Sequence, residues 1–137
     1  WQDALKDFVT QGGVILATCA GMILLAKEVV PSQESLGLID ITVQRNAYGR
    51  QLESFIAQGE ITDPVLGDGA LEMVFIRAPK VMQVHQGVRV LASYNKEPML
   101  VQQGNVIVAS FHPELSQDAT VHQYFCRQLE FVVPPSL

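Results

Sequence analysis

The sequence predicts a single α/β domain, and three observations carry that prediction. The chain has 137 residues, a length at which one hydrophobic core can be built. Apolar residues make up 48% of it, and short β-branched runs lie between helical patterns. One of these runs leads through a tight turn into a helical segment, and strand, turn and helix form one unit of an α/β sheet.

The first elements are a helix, a strand and a second helix. Residues 1–9 place apolar side chains at helical spacing, and Gly12 and Gly13 end that helix. Residues 14–17 form a short run rich in β-branched side chains, typical of a strand buried on both faces. Residues 20–30 are predicted to form a helix that ends at the following proline.

The middle of the chain is mostly extended, and a helix closes it. We predict strands over 36–43, 50–61, 71–76, 88–94, 98–102 and 105–110. A loop rich in aspartate and glycine covers 63–69, Pro79 ends a strand, and 83–87 is a polar turn. The last helix covers 116–132 and buries Val121, Tyr124, Phe125, Leu129 and Val132.

Composition and charge exclude several classes of protein. The net charge is -5 and the pI about 5.0, so the chain lacks the excess positive charge that would attract nucleic-acid phosphates. Only 17% of the residues are charged, which argues against disorder. No apolar run approaches the roughly 18 residues of a membrane span. Two cysteines are too few for a disulfide scaffold, so we expect a reducing, cytoplasmic compartment.

Cys19 is the first candidate for chemistry, because it stands where a buried strand turns into a helix. A sulfur at such a turn projects above the sheet edge, at the positive end of the helix. We expect that field to favour the thiolate, and the backbone N–H of Ala20 to face a developing oxyanion. A lone cysteine is, however, more often a small buried hydrophobe. The nucleophile turn also prefers glycine two residues earlier, where this chain has Ala17.

His112 follows a second buried strand and is the candidate base. It lies at the carboxyl end of 105–110, where α/β sheets place their ligands, and Glu114 comes two residues later. A cysteine, a histidine that takes its proton and a carboxylate that orients the histidine form a nucleophilic triad. The competing interpretation is a surface histidine beside a chance glutamate. Two strand-end candidates together favour the triad.

The remaining histidines and Cys126 have weaker cases. His85 lies in a polar turn and His122 lies early in the last helix, and neither shares a metal-ligand spacing with a cysteine. We therefore expect no metal site. Cys126 lies between Phe125 and Arg127 and is expected to be a packing residue.

Four segments in order resemble one family. They are Thr-Cys19-Ala-Gly-Met-Ile-Leu-Leu-Ala-Lys, Leu-Gly-Leu-Ile-Asp-Ile-Thr-Val-Gln-Arg45-Asn-Ala-Tyr-Gly-Arg-Gln, Phe-Ile76-Arg77-Ala-Pro and Ser-Phe-His112-Pro-Glu114-Leu. Together the segments resemble the glutaminase subunits of pyridoxal 5′-phosphate synthase, which are class I, triad-type glutamine amidotransferases. The cysteine and histidine segments mark the superfamily, and the two arginine segments are narrower.

The resemblance implies a fold and an activity. The fold would be three-layered and flavodoxin-like, with a mixed sheet flanked by helices. Cys19 would attack the side-chain amide of L-glutamine, His112 would transfer protons and Glu114 would orient His112. Arg45, Ile76 and Arg77 match substrate-contact positions, and a guanidinium suits a carboxylate. Members of the family need no cofactor of their own, and they pass ammonia to a synthase subunit.

The chain departs from the family in two ways. Ala17 adds one methyl group where the family has glycine beside the nucleophile. The family's first segment, which carries a Gly-Gly-Glu-Ser loop and a second oxyanion donor, has no match here, and losing one such donor commonly costs about 10²–10³ in rate. Because residue 1 is Trp rather than Met, we expect residues 1–137 to be the C-terminal portion of a single amidotransferase domain.

Three functions remain open at this point. The first is a glutaminase that supplies ammonia for vitamin B6 biosynthesis. The second is a truncated, impaired relative that only binds the synthase. The third is a cysteine peptidase on the same fold, which the triad alone would allow but which Arg45 and the Ile76-Arg77 segment disfavour.

Overall fold

The computed structural model describes residues 2–45 and 54–129, which form helices and strands of a mixed α/β fold. The helices are α1 (Gln2–Thr10), α2 (Ala20–Leu25) and α3 (Thr120–Leu129), with a 3₁₀ turn at Pro113–Leu115. The strands are β1 (Ile15–Thr18), β2 (Ala26–Val30), β3 (Ile39–Gln44), β4 (Ser54–Ile61), β5 (Ala70–Ile76), β6 (Lys80–Val84), β7 (Arg89–Tyr94), β8 (Glu97–Gln103) and β9 (Val106–Ala109).

The strands form two sheets. The larger sheet has the order β1-β9-β8-β7-β4-β5, and the smaller one has the order β2-β3-β6. β1 runs parallel to β9, with Thr18 opposite Ala109 at their carboxyl ends. β2 also runs parallel to β3, whereas the other neighbouring strands are antiparallel. The parallel pair β1 and β9 brings two distant chain segments to one edge of the sheet.

The two faces of the larger sheet pack against different elements. Successive residues of β9 alternate between the faces, because side chains of a strand point to opposite sides. Val106 and Val108 join α2 and the smaller sheet in one core, whereas Ile107 and Ala109 join α3 in the other. Helices and the smaller sheet therefore enclose the larger sheet, which is the predicted mixed α/β architecture.

The second helix is shorter than predicted. It ends at Leu25, and Ala26–Val30 form strand β2 rather than further turns of helix. Two β-branched residues, Val29 and Val30, stand directly before Pro31, and the residue before a proline is pushed out of the helical region. Val29 is buried in the core that α2 shares with the smaller sheet. These local preferences, together with the pairing with β3, explain why Ala26–Val30 form a strand.

Strand β6 is the element that the sequence pattern missed. Lys80–Val84 follow Pro79 and pair antiparallel with β3, with Gln44 opposite Lys80. Only Val81 of this strand is buried, so the run lacks the alternation that identifies a strand. The other predicted strands are confirmed, with ends shifted by a few residues. Residues 50–53 of the predicted strand 50–61 lie outside the described residues.

Several burial predictions need correction. β1 is only partly buried along its length, and in the described part of the chain it pairs with β9 alone. In α3, Val121 and Tyr124 are buried as predicted, but Leu129 is 43% exposed, and Val132 lies outside the described residues. Cys126 is exposed and is not a packing residue. It follows the helical period onto the solvent side of α3.

Candidate active site

Cys19 occupies a strained turn between β1 and α2. Its backbone has φ 49° and ψ -105°, a conformation that non-glycine residues rarely adopt and that costs about 1–3 kcal/mol. The turn is held from both sides, because Cys19 N–H donates to Ala109 O at 2.9 Å and Ile23 N–H donates to Cys19 O at 3.2 Å. The fold therefore sustains a backbone that aims the side chain away from the sheet.

Small residues make that turn possible. A Cβ placed on Gly21 would lie 3.0 Å from the Cβ of Ala17, closer than ordinary packing allows. The extra methyl group of Ala17 is thus accommodated because residue 21 has no side chain. The predicted crowding around Cys19 is present, and Gly21 relieves it.

The structure brings Cys19, His112 and Glu114 together in one line of hydrogen bonds. Cys19 Sγ lies 3.1 Å from His112 Nε2, and His112 Nδ1 lies 2.7 Å from Glu114 Oε2. A carboxylate can only accept, so Nδ1 carries the proton and Nε2 is left to accept from the thiol. The thiol also lies 3.3 Å from the carbonyl oxygen of Ser110, a second acceptor that the sequence did not indicate.

The thiol is protonated in this state, contrary to the expectation from the helix terminus. Burial, with the negative charge of Glu114 adding to it, raises the pKa of Cys19 to about 12. Only 8% of the Cys19 surface is exposed, and α2 has just six residues. Desolvation therefore outweighs the short helix, and a thiolate can form only if His112 takes the proton.

Glu114 is ionised beside the histidine. Burial alone would raise its pKa, but the hydrogen bond from His112, a backbone hydrogen bond and the nearby charges of His112 and His122 bring that pKa below its usual value. The carboxylate is thus available to stabilise an imidazolium on His112 once the thiol proton has moved. His122 enters this electrostatic environment from the first turn of α3, where the sequence placed it.

Ala20 has the geometry expected of an oxyanion donor in one respect. It is the first residue of α2, so the helix has no carbonyl four residues earlier to accept its N–H. It directly follows the residue that carries the sulfur. The donor role of Ala20 stays a prediction.

Ile76 and Arg77 lie at the end of β5, near the histidine. Val74 O accepts from His112 N–H at 2.7 Å, two residues before Ile76 on the same strand. Ile76 is 39% exposed, and Arg77 is exposed with φ 47°. This pair is therefore placed beside the loop of His112, with solvent access for a small substrate.

Arg45 lies at the end of β3 and is not hydrogen-bonded to the triad among the described residues. Its N–H donates to Val30 O at 2.8 Å, and its Nε donates to Pro31 O at 3.1 Å. Pairing of Gln44 with Lys80 does place it near the start of β6, three residues after Arg77. Arg45 follows β3 and Arg77 precedes β6, so both predicted arginines lie toward the same end of this antiparallel pair. The rest of the Arg45 motif, residues 46–51, falls outside the described residues.

The weaker sequence candidates lie elsewhere. His85 lines a separate depression of about 420 Å³ on the smaller sheet, where its Nε2 is 3.4 Å from Thr42 Oγ1. Over the described ranges, no three His, Cys, Asp or Glu side chains are grouped so as to hold a metal ion. None of the helices in those ranges is long and apolar enough to cross a membrane.

Comparison with known proteins matches this chain to one family over nearly its whole length. The family model described as the SNO glutamine amidotransferase family matches residues 1–131. Among solved structures, one described as a glutamine amidotransferase superposes with a TM-score of 0.84 at 43% sequence identity. That match covers 94% of this chain and 68% of the other.

Two curated relatives carry the same name. The protein named pyridoxal 5′-phosphate synthase subunit PdxT from Kosmotoga olearia is 46% identical over 129 residues, and its namesake from Pseudothermotoga lettingae is 53% identical over 125 residues. These alignments cover 93% and 90% of this chain. The chain spans 66% and 63% of the length of the two relatives.

Proposed function

Because the chain belongs to the SNO glutamine amidotransferase family, we propose that it hydrolyses L-glutamine to glutamate and ammonia. The observation that supports this most directly is the line of contacts from Cys19 Sγ through His112 to Glu114, at 3.1 and 2.7 Å. Such a line supplies a nucleophile, a base and an orienting carboxylate, the parts that acyl transfer from an amide requires.

The proposed reaction has two halves. Cys19 Sγ attacks the side-chain amide carbon of glutamine while His112 Nε2 takes the thiol proton, and the N–H of Ala20 stabilises the developing oxyanion. His112 returns the proton to the departing nitrogen, so ammonia leaves and a thioester remains. His112 then takes a proton from water, which attacks the thioester carbon, and gives that proton to Cys19 Sγ as the C–S bond breaks, so glutamate leaves and the thiol and His112 are restored.

Arg45, Ile76 and Arg77 are the proposed substrate contacts. Ile76 and Arg77 border the His112 loop, and a guanidinium at Arg45 matches the α-carboxylate of glutamine in charge and shape. Arg45 Nε donates to Pro31 O in this structure, and a guanidinium has further N–H donors with which to meet a carboxylate. Residues 1–137 are proposed to form the C-terminal portion of a single amidotransferase domain.

The partner proposed for this chain is a pyridoxal 5′-phosphate synthase subunit, in the cytoplasm. Relatives at 46% and 53% identity are named as a subunit of that synthase. The ammonia would then be consumed by the partner in vitamin B6 biosynthesis. No cofactor is needed for the proposed hydrolysis, because cysteine and histidine supply the nucleophile and the proton transfer.

Ammonia release from glutamine tests the proposal, measured with and without a synthase subunit. We expect turnover with the partner, its loss in Cys19→Ala and its retention in Cys126→Ala, which changes an exposed thiol. A folded chain that releases no ammonia under either condition refutes the proposal.

The alternative is a chain that binds the synthase without hydrolysing glutamine. The finding that bears on it is the burial of the Cys19 thiol, which is only 8% exposed and whose raised pKa makes it a poor nucleophile unless His112 removes its proton. Co-sedimentation with the synthase, in the absence of ammonia release, would favour this alternative. Cleavage of peptides without labelling by a glutamine analogue would instead favour a cysteine peptidase.

A further inference from the structure

The segment that carries His112 and Glu114 is attached to β5 at two points. At the first point, His112 N–H donates to Val74 O at 2.7 Å. At the second point, which follows Glu114 in the chain, the hydroxyl of Ser116 donates to Glu72 Oε1, also at 2.7 Å. Backbone groups of residues two apart point to the same edge of a strand. The loop therefore lies along the edge of β5 that faces away from β4.

Asp118 completes the second attachment with both of its carboxylate oxygens. Oδ2 accepts the N–H of Glu72 at 3.1 Å, while Oδ1 accepts the N–H and the hydroxyl of Thr120 at 3.1 and 2.5 Å. Its own N–H donates to Ser116 Oγ at 3.0 Å. Glu72, Ser116 and Asp118 thus form a closed ring of hydrogen bonds between β5, the loop and the start of α3.

We propose that Glu72, Ser116 and Asp118, here called the loop clamp, are positioning residues that keep His112 and Glu114 at reacting distance from Cys19. This inference rests on the proposed glutaminase function. None of the three touches the sulfur or the imidazole, so the loop clamp acts through the backbone of residues 112–118.

The local structure of the loop explains why it needs an external attachment. Its 3₁₀ turn has only three residues, Pro113–Leu115, and hydrogen bonds at 3.2 Å join Leu115 N–H to His112 O and Ser116 N–H to Pro113 O. Short turns of this kind have poor hydrogen-bond geometry, and the side chain of Glu114 is 49% exposed. The 3₁₀ turn is therefore a weak support for the backbone of Glu114, whose carboxylate is held by His112 and by a backbone hydrogen bond.

A purely structural role makes a different prediction. Asp118 also caps α3 through Thr120, and loss of a cap commonly costs stability alone. In that case substitutions would lower the melting temperature and leave the reactivity of Cys19 unchanged. A positioning role requires that the reactivity change as well.

The experiment compares loop-clamp variants with a matched control. Ser116→Ala and Asp118→Ala open the ring. The control is Asp63→Ala, in the loop between β4 and β5. It removes a similar turn contact, in which Val65 N–H donates to Asp63 Oδ1 at 3.0 Å, and an ion pair between Asp63 and Arg89 at 2.7 Å. With glutamine and a synthase subunit, we expect kcat to fall about 10- to 100-fold in the loop-clamp variants, at nearly unchanged KM. Asp63→Ala and the hydroxyl-preserving Ser116→Thr should keep kcat.

A second readout does not depend on turnover. In a Cys126→Ser background, the rate of Cys19 alkylation by iodoacetamide is measured against pH. The parent protein should show a rise in alkylation rate with pH that depends on His112, because His112 Nε2 lies 3.1 Å from Cys19 Sγ and can accept the thiol proton. Ser116→Ala and Asp118→Ala should lose this rise, whereas Asp63→Ala should retain it.

The outcomes separate the two proposals. If the parent releases no ammonia but the loop-clamp variants still lose the histidine-dependent alkylation, the glutaminase proposal fails and the loop clamp stands. If kcat and the alkylation profile match the parent while the melting temperature falls, the loop clamp is only a helix cap and the inference is overturned. Should Asp118→Ala not fold, Ser116→Ala against Ser116→Thr decides by the same readouts.

Discussion

At the scale of single residues, the acidity of Cys19 shows what burial does to a candidate nucleophile. The thiol is 8% exposed and has two acceptors within reach of its one hydrogen, His112 Nε2 and Ser110 O, and burial raises its pKa to about 12. Burial therefore favours the neutral thiol form of Cys19. The thiolate that attacks a substrate therefore forms only when the proton moves to His112 Nε2, 3.1 Å away.

This raised pKa predicts a loss of stability in alkali. An unfolded chain ionises the thiol above about pH 9, the ordinary value, whereas the folded chain retains the proton up to about 12. The unfolded state then binds fewer protons, so the free energy of unfolding falls as pH rises through that window, by at most about 1.4 kcal/mol per pH unit. Urea unfolding at several pH values should show a steeper fall in the parent than in Cys19→Ser.

Cys19→Ala provides the control for that measurement. Alanine and serine both lack an ionisable group, so the two variants should share one shallow slope. A slope in either variant as steep as that of the parent would show that another group causes the alkaline loss.

At the scale of elements, the junction of β1 and α2 couples two small residues. Gly21→Ala should gain up to about 1 kcal/mol from helix propensity, but its methyl group would lie 3.0 Å from the Cβ of Ala17. We therefore expect the substitution to be neutral or destabilising in the parent and stabilising in an Ala17→Gly background. The coupling energy, from urea unfolding of the double-mutant cycle, should be about 1 kcal/mol.

A matched cycle tests whether that coupling comes from contact. Ala57→Gly makes the same change in β4, away from the junction, and should combine additively with Gly21→Ala. Additivity in the Ala17 cycle as well would mean that the turn relaxes and that the crowding has no energetic consequence.

At this scale the sequence predicted those features that local residue patterns determine and that pairing with distant strands does not override. Cys19 and His112 could be brought together because each follows a short apolar run, and β1 and β9 do pair in parallel. The state of the thiol could not be predicted, since it depends on desolvation by residues far away in sequence. Strand β6 stayed hidden because Lys80–Val84 bury a single side chain, and the end of α2 depended on pairing with β3.

At the scale of the whole molecule, the carboxylates set the response to acid. The pKa values of Asp63, Glu114 and Asp118 all lie below their ordinary values, because hydrogen bonds to each carboxylate outweigh the effect of burial, which would raise them. A depressed pKa stabilises the fold above the unfolded value, and that contribution is lost as pH falls through the folded value. Stability should therefore fall below about pH 4.

Thermal unfolding between neutral pH and about pH 3 measures this effect. Asp63→Asn and Asp118→Asn should each flatten the acid slope, and the double variant should flatten it further, because the two sites share no hydrogen bond. Three slopes equal to that of the parent would contradict the assignment of the acid loss to these carboxylates.

The pairing of β1 with β9 also governs when the site can exist during synthesis. Cys19 and His112 are separated by 93 positions, so closing the contact requires almost the whole intervening chain, and such long-range contacts form slowly. A growing polypeptide exposes its sulfur long before the imidazole has been made. While those 93 positions are being made, the nascent chain holds Cys19 without His112 beside it, and it acquires the pair only once β9 docks.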